Sequence, residues 1–163
     1  MELRLLPMPD VELAAWIAAS LNDYVADRIK GGETAELAEA TAEKSFAELF
    51  PDGKPTVGHV VRNAIRDDGE AVGYIWIGPD SSNGESAWWV WDIAVHAQHR
   101  GRGYGRKIME LAEAKAVASG ATSMGLHVFG FNTIARDLYE SMGYAPTSIR
   151  MAKQLNATPA EVI

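Results

Sequence analysis

The segment Arg100-Gly101-Arg102-Gly103-Tyr104-Gly105 packs three glycines and two guanidinium groups into six residues. Glycine lets backbone N–H groups approach a ligand with no Cβ in the way, and a helix starting here would add roughly half a positive charge at its N-terminus. Arg106 and Lys107 follow directly, so four cations lie within eight residues of a chain whose formal net charge is −7. The chemistry this suits is capture of a pyrophosphate. The plain alternative is a strand-to-helix connection that carries surface arginines.

The flanking residues supply the elements that would hold such a cradle. Trp88-Trp89-Val90-Trp91-Asp92-Ile93-Ala94-Val95 precedes it, and the spacing predicts a strand over 87–95, apolar on both faces and therefore central in a sheet covered by helices on both sides. A helix over 103–119 ends at Gly120, a strand over 122–128 follows, a helix over 132–142 ends at Gly143, and 145–154 reads as a last strand. Strand, helix and strand around the cradle make one right-handed β-α-β crossover.

Upstream, residues 2–6 read as a first strand. Asp10 reads as the N-cap of a helix in which Leu13, Trp16, Ile17, Leu21 and Tyr24 recur at helical spacing before Gly31-Gly32. Thr34 can cap a second helix whose Phe46, Leu49 and Phe50 share a face, ended by Pro51-Asp52-Gly53. Strands over 58–66 and 70–77 flank Asp67-Asp68-Gly69, a hairpin turn signal.

A length of 163 residues with 47% apolar and 23% charged side chains fits one domain, 1–163, with an ordinary core. Residues 1–57 would form the first strand and two helices, 58–154 the sheet and anion site, and 155–163 a loose tail. The absence of cysteine excludes disulfides, thiolate metal sites and a cysteine nucleophile. Glu2, Asp10 and Glu12 interrupt the N-terminal apolar stretches, so no signal peptide or membrane span is expected and the protein is expected in the cytoplasm. Asn156-Ala157-Thr158 is then a chance sequon. Residues 1–50 hold ten acidic and four basic side chains, which argues against nucleic acid as a partner.

A dinucleotide fold would place its third glycine one residue later and an acidic residue about twenty positions on, where this chain has Thr122-Ser123-Met124-Gly125-Leu126-His127-Val128. A nucleotide-hydrolase phosphate loop would follow its glycine with Lys and Ser or Thr, but Gly105 is followed by Arg106-Lys107-Ile108. What remains is Arg-x-x-Gly-x-Gly opening a helix, with Asn132-x-x-Ala135-x-x-Leu138-Tyr139 and Met142-Gly143-Tyr144 downstream. In these motifs the sequence resembles the GNAT N-acetyltransferase superfamily, closely over about residues 87–153.

The resemblance implies an α/β (α+β) fold: a central mixed, mostly antiparallel sheet, flanked by about four helices, with the crossover binding acetyl-CoA as co-substrate and no metal. It assigns the pyrophosphate to Arg100, Gly103 and Gly105 with the amides of Gly101, Arg102 and Tyr104. It assigns the pantetheine arm to Ile93, Ala94 and Val95, which would pair with it as with an added strand, and cofactor contact to Asn132. Tyr139 would lie near the thioester sulfur.

Acetyl transfer to an amine needs an unprotonated nucleophile, a polarised carbonyl and a proton for the departing thiolate. The N–H of Ile93 or Val95 is expected to stabilise the oxyanion, and Tyr139 to be the general acid. His127 is the candidate base, on the strand position where some relatives carry glutamate, with Asp92 a weaker candidate on the opposite face of its strand from Ile93. His96, Gln98 and His99 are expected to face solvent. The tryptophans are expected mainly in the core, some of them walling an acceptor pocket between the first two helices and the sheet. The function expected is acetyl transfer to a small-molecule or peptide primary amine, the acidic helices favouring a cationic one. The alternative is a non-catalytic acyl-CoA sensor. A homodimer is common among such proteins, and strand 145–154 is the expected contact.

Overall fold

The structure, a computed structural model, describes residues 2–155. Most of the expected loose tail and the Asn156 sequon therefore lie outside the described residues. Five strands form one sheet in the order β1 (Leu3–Pro7), β2 (Val60–Arg66), β3 (Ala71–Pro79), β4 (Ala87–Val95), β5 (Ser123–Leu126). The first four are antiparallel neighbours and β4–β5 is parallel. Four α-helices flank the sheet: α1 (Asp10–Lys30), α2 (Ala35–Leu49), α3 (Tyr104–Ala118) and α4 (Thr133–Ser141).

Alternation along β3 builds two cores. Ile75 and Ile77 face α3, where they pack with Ile108, Met109, Ala112, Trp88 and Val90. Tyr74 and Trp76 face the other way, into a cluster of Trp16 and Leu13 from α1 with Phe46 and Phe50 from α2 and its end. A strand with helices on both faces reads as a nearly continuous apolar run, which is why β4 was legible as covered. It is nevertheless β3, not β4, that lies at the middle of the five.

Local signals explain most boundaries. Gly69, at φ 86°, donates its N–H to the Arg66 carbonyl and closes the β2–β3 hairpin. The Thr34 hydroxyl accepts from the Leu37 N–H and caps α2. Asp10, expected as a cap, is instead the first residue of α1; Pro9 is the N-cap, and no side chain caps that end. The carboxylates of Asp10 and Glu12 still lie in the first turn, where the helix dipole favours them.

Two expectations fail at the C-terminal edge. Strand β5 spans four residues rather than 122–128, because its pairing with β4 stops at Val90–Leu126. Residues 145–154 form no strand; 145–155 run without regular structure and every side chain there is exposed. A segment becomes a strand only beside another strand, and none within the described residues receives it.

Candidate active site

The β3–β4 register carries the key irregularity. Trp76 pairs with Asp92 and Ile77 with Val90, leaving Trp91 as an extra residue on β4. Such a bulge bends and twists its strand. It turns Trp91 toward the α1–α2 cluster, and Asp92 reaches the same side, where Ser20 of α1 and Tyr74 of β3 contact it. Ile93 returns to the α3 side. Beyond Val90 the parallel pairing with β5 ends, while β4 continues through residues 91–95. The two strands therefore part beyond that pair, and residues 91–95 of β4 have no β5 partner on that side.

The cradle follows the end of β4 and leads into α3. Gly101 and Gly103 have φ of 73° and 81°, a region that side chains strain to enter, and a Cβ built on either would meet nothing within 4 Å. The open space continues to the start of α3, whose first turn presents N–H groups ahead of the first intrahelical acceptors. Arg100 is exposed, and its Nε–H donates to the Val95 carbonyl at 3.0 Å. Gly105 packs under Leu138 of α4, where an added Cβ would come within 3.2 Å of that side chain. Arg106 reaches the Ser141 hydroxyl, tying α3 to the end of α4.

Tyr139 is 9% exposed, with its ring edge-on to Tyr144 at 6.0 Å. Burial raises its phenol pKa, and the charge of Asp92 adds to the rise. The two residues lie on α4 and β4, 47 positions apart in the sequence. Asp92 itself is largely buried, and Ser20 Oγ and Tyr74 Oη donate to its Oδ2 at 2.8 and 3.2 Å. Burial raises its pKa above the usual 3.8, while the Ser20, Tyr74 and Ile93 N–H donors act against the rise. The Tyr74 phenol is pushed up by burial and by the Asp92 charge.

The other sequence candidates sit differently. His127 lies just past β5, exposed, edge-on to Phe129 at 4.9 Å. The side-chain oxygen of Asn132 accepts from the Ala135 N–H and caps α4. His99, expected in solvent, is 4% exposed; its ring packs edge-on against Tyr104, and its Nε2 lies 3.1 Å from Glu70 Oε1, without hydrogen-bond alignment. His96 is half-buried, with Nδ1 3.2 Å from the Ala71 carbonyl, whereas Gln98 is exposed.

Sequence reasoning missed Ser20 and Tyr74 as partners of Asp92. The available signal was Ser20 one turn after Trp16, a hydroxyl on the apolar stripe of α1. It also missed His59, whose Nδ1 accepts from Trp76 Nε1–H and whose Nε2 faces the Pro79 carbonyl. Both nitrogens are engaged and burial lowers the pKa, so His59 is held as neutral imidazole. Its ring in turn braces Trp91 at 5.3 Å.

A sequence profile of the acetyltransferase (GNAT) family matches residues 13–144. The N-acetyltransferase YdgE of Bacillus subtilis strain 168 is 30% identical over 149 residues, 91% of this chain and 95% of that protein. YycN of the same organism, also an N-acetyltransferase, is 27% identical over 156 residues, 95% of this chain and all of that one. The YycN crystal structure aligns at a TM-score of 0.86 with 26% identity, covering 95% of this chain and 99% of that chain. Streptothricin acetyltransferase of Streptomyces lavendulae is 30% identical over 124 residues, 70% of this chain and 65% of that protein. The matched span contains the bulged strand, the glycine cradle and α4, and on that footing the chain belongs to the GNAT acetyltransferase family, an acyltransferase of the acetyl-CoA-dependent kind.

Proposed function

We propose that this enzyme moves the acetyl group of acetyl-CoA directly onto a primary amine, both being held together in a ternary complex. The observation that carries this reading is the parting of β4 from β5 beyond Val90, followed by a positive-φ glycine turn ahead of α3, with Asp92 on β4 and a buried Tyr139 whose phenol pKa the Asp92 charge helps to raise. The residues fit the co-substrate: positive-φ glycines with open space suit a pyrophosphate, and the free side of β4 suits an amide-bearing arm.

Bound acetyl-CoA supplies an activated thioester carbonyl. Arg100 and the amides of residues 101–105 hold its phosphates. A backbone N–H of β4 stabilises negative charge at the carbonyl oxygen, and such groups cost no reorganisation. Val95 is the better candidate, because the Ile93 N–H already lowers the Asp92 pKa as a donor to its carboxylate. Tyr139, protonated throughout the working range because burial raises its pKa, donates a proton to the leaving sulfur. Asp92 takes the base role ahead of His127, since it is buried, raised in pKa and coupled to Tyr139. Asp23 of α1 also acts on Asp92, and this negative wall favours a cationic amine over a neutral one.

Release of free thiol from acetyl-CoA in the presence of a panel of primary amines tests the reading, against a background free of protein thiols because the chain has no cysteine. Amine-dependent release supports it. Binding of acetyl-CoA with no release to any amine would favour an acyl-CoA sensor instead.

A further inference from the structure

We propose that His99 and Glu70 are positioning residues of the glycine turn, joined as an ion pair, and that acetyl-CoA binding draws a proton onto His99, so that ligand and proton bind together. This rests on acetyl-CoA seating its phosphates at that turn.

His99 and Tyr104 flank residues 100–103, and their rings meet edge-on at 6.1 Å. The turn is therefore an arch whose two feet touch. Both feet are buried, His99 at 4% and Tyr104 at 5% exposure. The foot at His99 is fastened to the start of β3. The His96 N–H donates to the Val72 carbonyl at 2.8 Å, and His96 Nδ1 lies 3.2 Å from the Ala71 carbonyl. Glu70, the next residue back along that edge, places Oε1 3.1 Å from His99 Nε2.

Neither ring nitrogen of His99 finds a hydrogen-bond partner among the described residues, although both are buried. A neutral imidazole there leaves two polar atoms unsatisfied, which is costly. An imidazolium instead draws on the Glu70 carboxylate, because a Coulomb attraction depends on distance and not on the direction of an N–H. Glu70 is held in place for this contact: Arg66 of β2 lies 2.8 Å from its other oxygen, and Asp68 lies 2.6 Å from the same guanidinium. The groups facing His99 are thus Glu70, with Arg66 and Asp68 behind it, and the ring of Tyr104 from α3; His96 and Arg100 flank it on its own segment. A pyrophosphate seated on residues 100–105 adds negative charge directly beside this ring. It strengthens the hold on a proton at His99, and a proton at His99 strengthens the hold on the phosphates by the same factor. Imidazole is the side chain that makes such an exchange near neutral pH.

Isothermal titration with acetyl-CoA in buffers of different ionisation enthalpy counts the protons taken up with the ligand, here at several values between about pH 6 and about pH 8. The wild-type chain should take up a fraction of a proton more than His99→Phe, which keeps a ring against Tyr104 and has nothing there to titrate. The difference between the two cancels proton exchange by the phosphates of the ligand itself. Glu70→Gln, at a half-exposed side chain, removes the counter-charge without touching the core, and should move the peak of proton uptake to lower pH. Equal uptake in wild type and His99→Phe, or a peak that Glu70→Gln leaves in place, overturns the proposal while acetyl-CoA still binds. A wild-type chain that binds no acetyl-CoA overturns the reading of the turn as a phosphate site, and the proposal with it.

Discussion

Arg100 Nε–H donates to the Val95 carbonyl oxygen at 3.0 Å, fastening the first residue of the cradle to the last residue of β4. One side chain thereby ties the glycine turn to the strand end. Arg100→Ala should weaken acetyl-CoA binding by about tenfold or more, the usual worth of a charge-assisted contact. Arg100→Lys should not restore it, because an ammonium lacks the planar fork that serves a carbonyl and a phosphate together. Isothermal titration with acetyl-CoA checks both.

Acetyl-CoA at about a hundred times its dissociation constant should stabilise the protein by about 2.7 kcal/mol. For a chain of this size that is a melting rise of about 5 to 10 °C. NAD and ATP serve as controls and should give no comparable rise. A shift common to all three would show a general anion site.

Tyr139→Phe should leave acetyl-CoA affinity and the melting temperature close to wild type, since the buried ring remains, and should lower turnover at least about tenfold. Steady-state kinetics with thiol detection reads the effect. Unchanged turnover would remove Tyr139 from proton transfer.

Asp92 has its pKa raised above 3.8, chiefly by burial. The folded protein therefore holds this proton more tightly than the unfolded chain does. Its stabilising contribution is complete below pH 3.8 and is lost as pH rises through the folded pKa. Asp92→Asn cannot ionise, so its melting temperature relative to wild type should climb as pH rises above the usual carboxylate value of about 4. Turnover of the same variant should fall by at least about tenfold, and His127→Ala should match the wild-type pH profile.

Gly73 faces the bulged strand so closely that a Cβ there would stand 2.1 Å from the Ala94 carbonyl oxygen. Gly73→Ala must push β4 aside and should destabilise the fold by about 1 to 3 kcal/mol. Denaturant unfolding measures the loss, and acetyl-CoA affinity should fall with it because Ala94 lies on the part of β4 that β5 does not pair.

The ends of β4, the glycine cradle and the hairpin at Gly69 were legible because each depends on neighbours in sequence: an apolar run, positive-φ turns, a two-strand connection. The bulge was not, since Trp91 is an extra residue only relative to β3. The Ser20–Asp92 bond joins positions 72 apart, beyond the reach of any local pattern. Burial of His99 depends on its packing with Tyr104 and Glu70, while the strand expected over 145–154 finds no neighbouring strand among the described residues.

Trp16, Trp76, Trp91 and Trp89 form a file of rings with successive centroids 5.8, 5.5 and 6.5 Å apart, and Asp92 is the register partner of Trp76. Indoles this close share their electronic transitions. On the proposed assignment of Asp92 as base, the enzyme carries its own optical sensor beside it: an amine settling there should perturb a coupled chromophore, so that acceptor occupancy can be followed in the native emission and near-ultraviolet dichroism of the unlabelled protein, separately from any turnover.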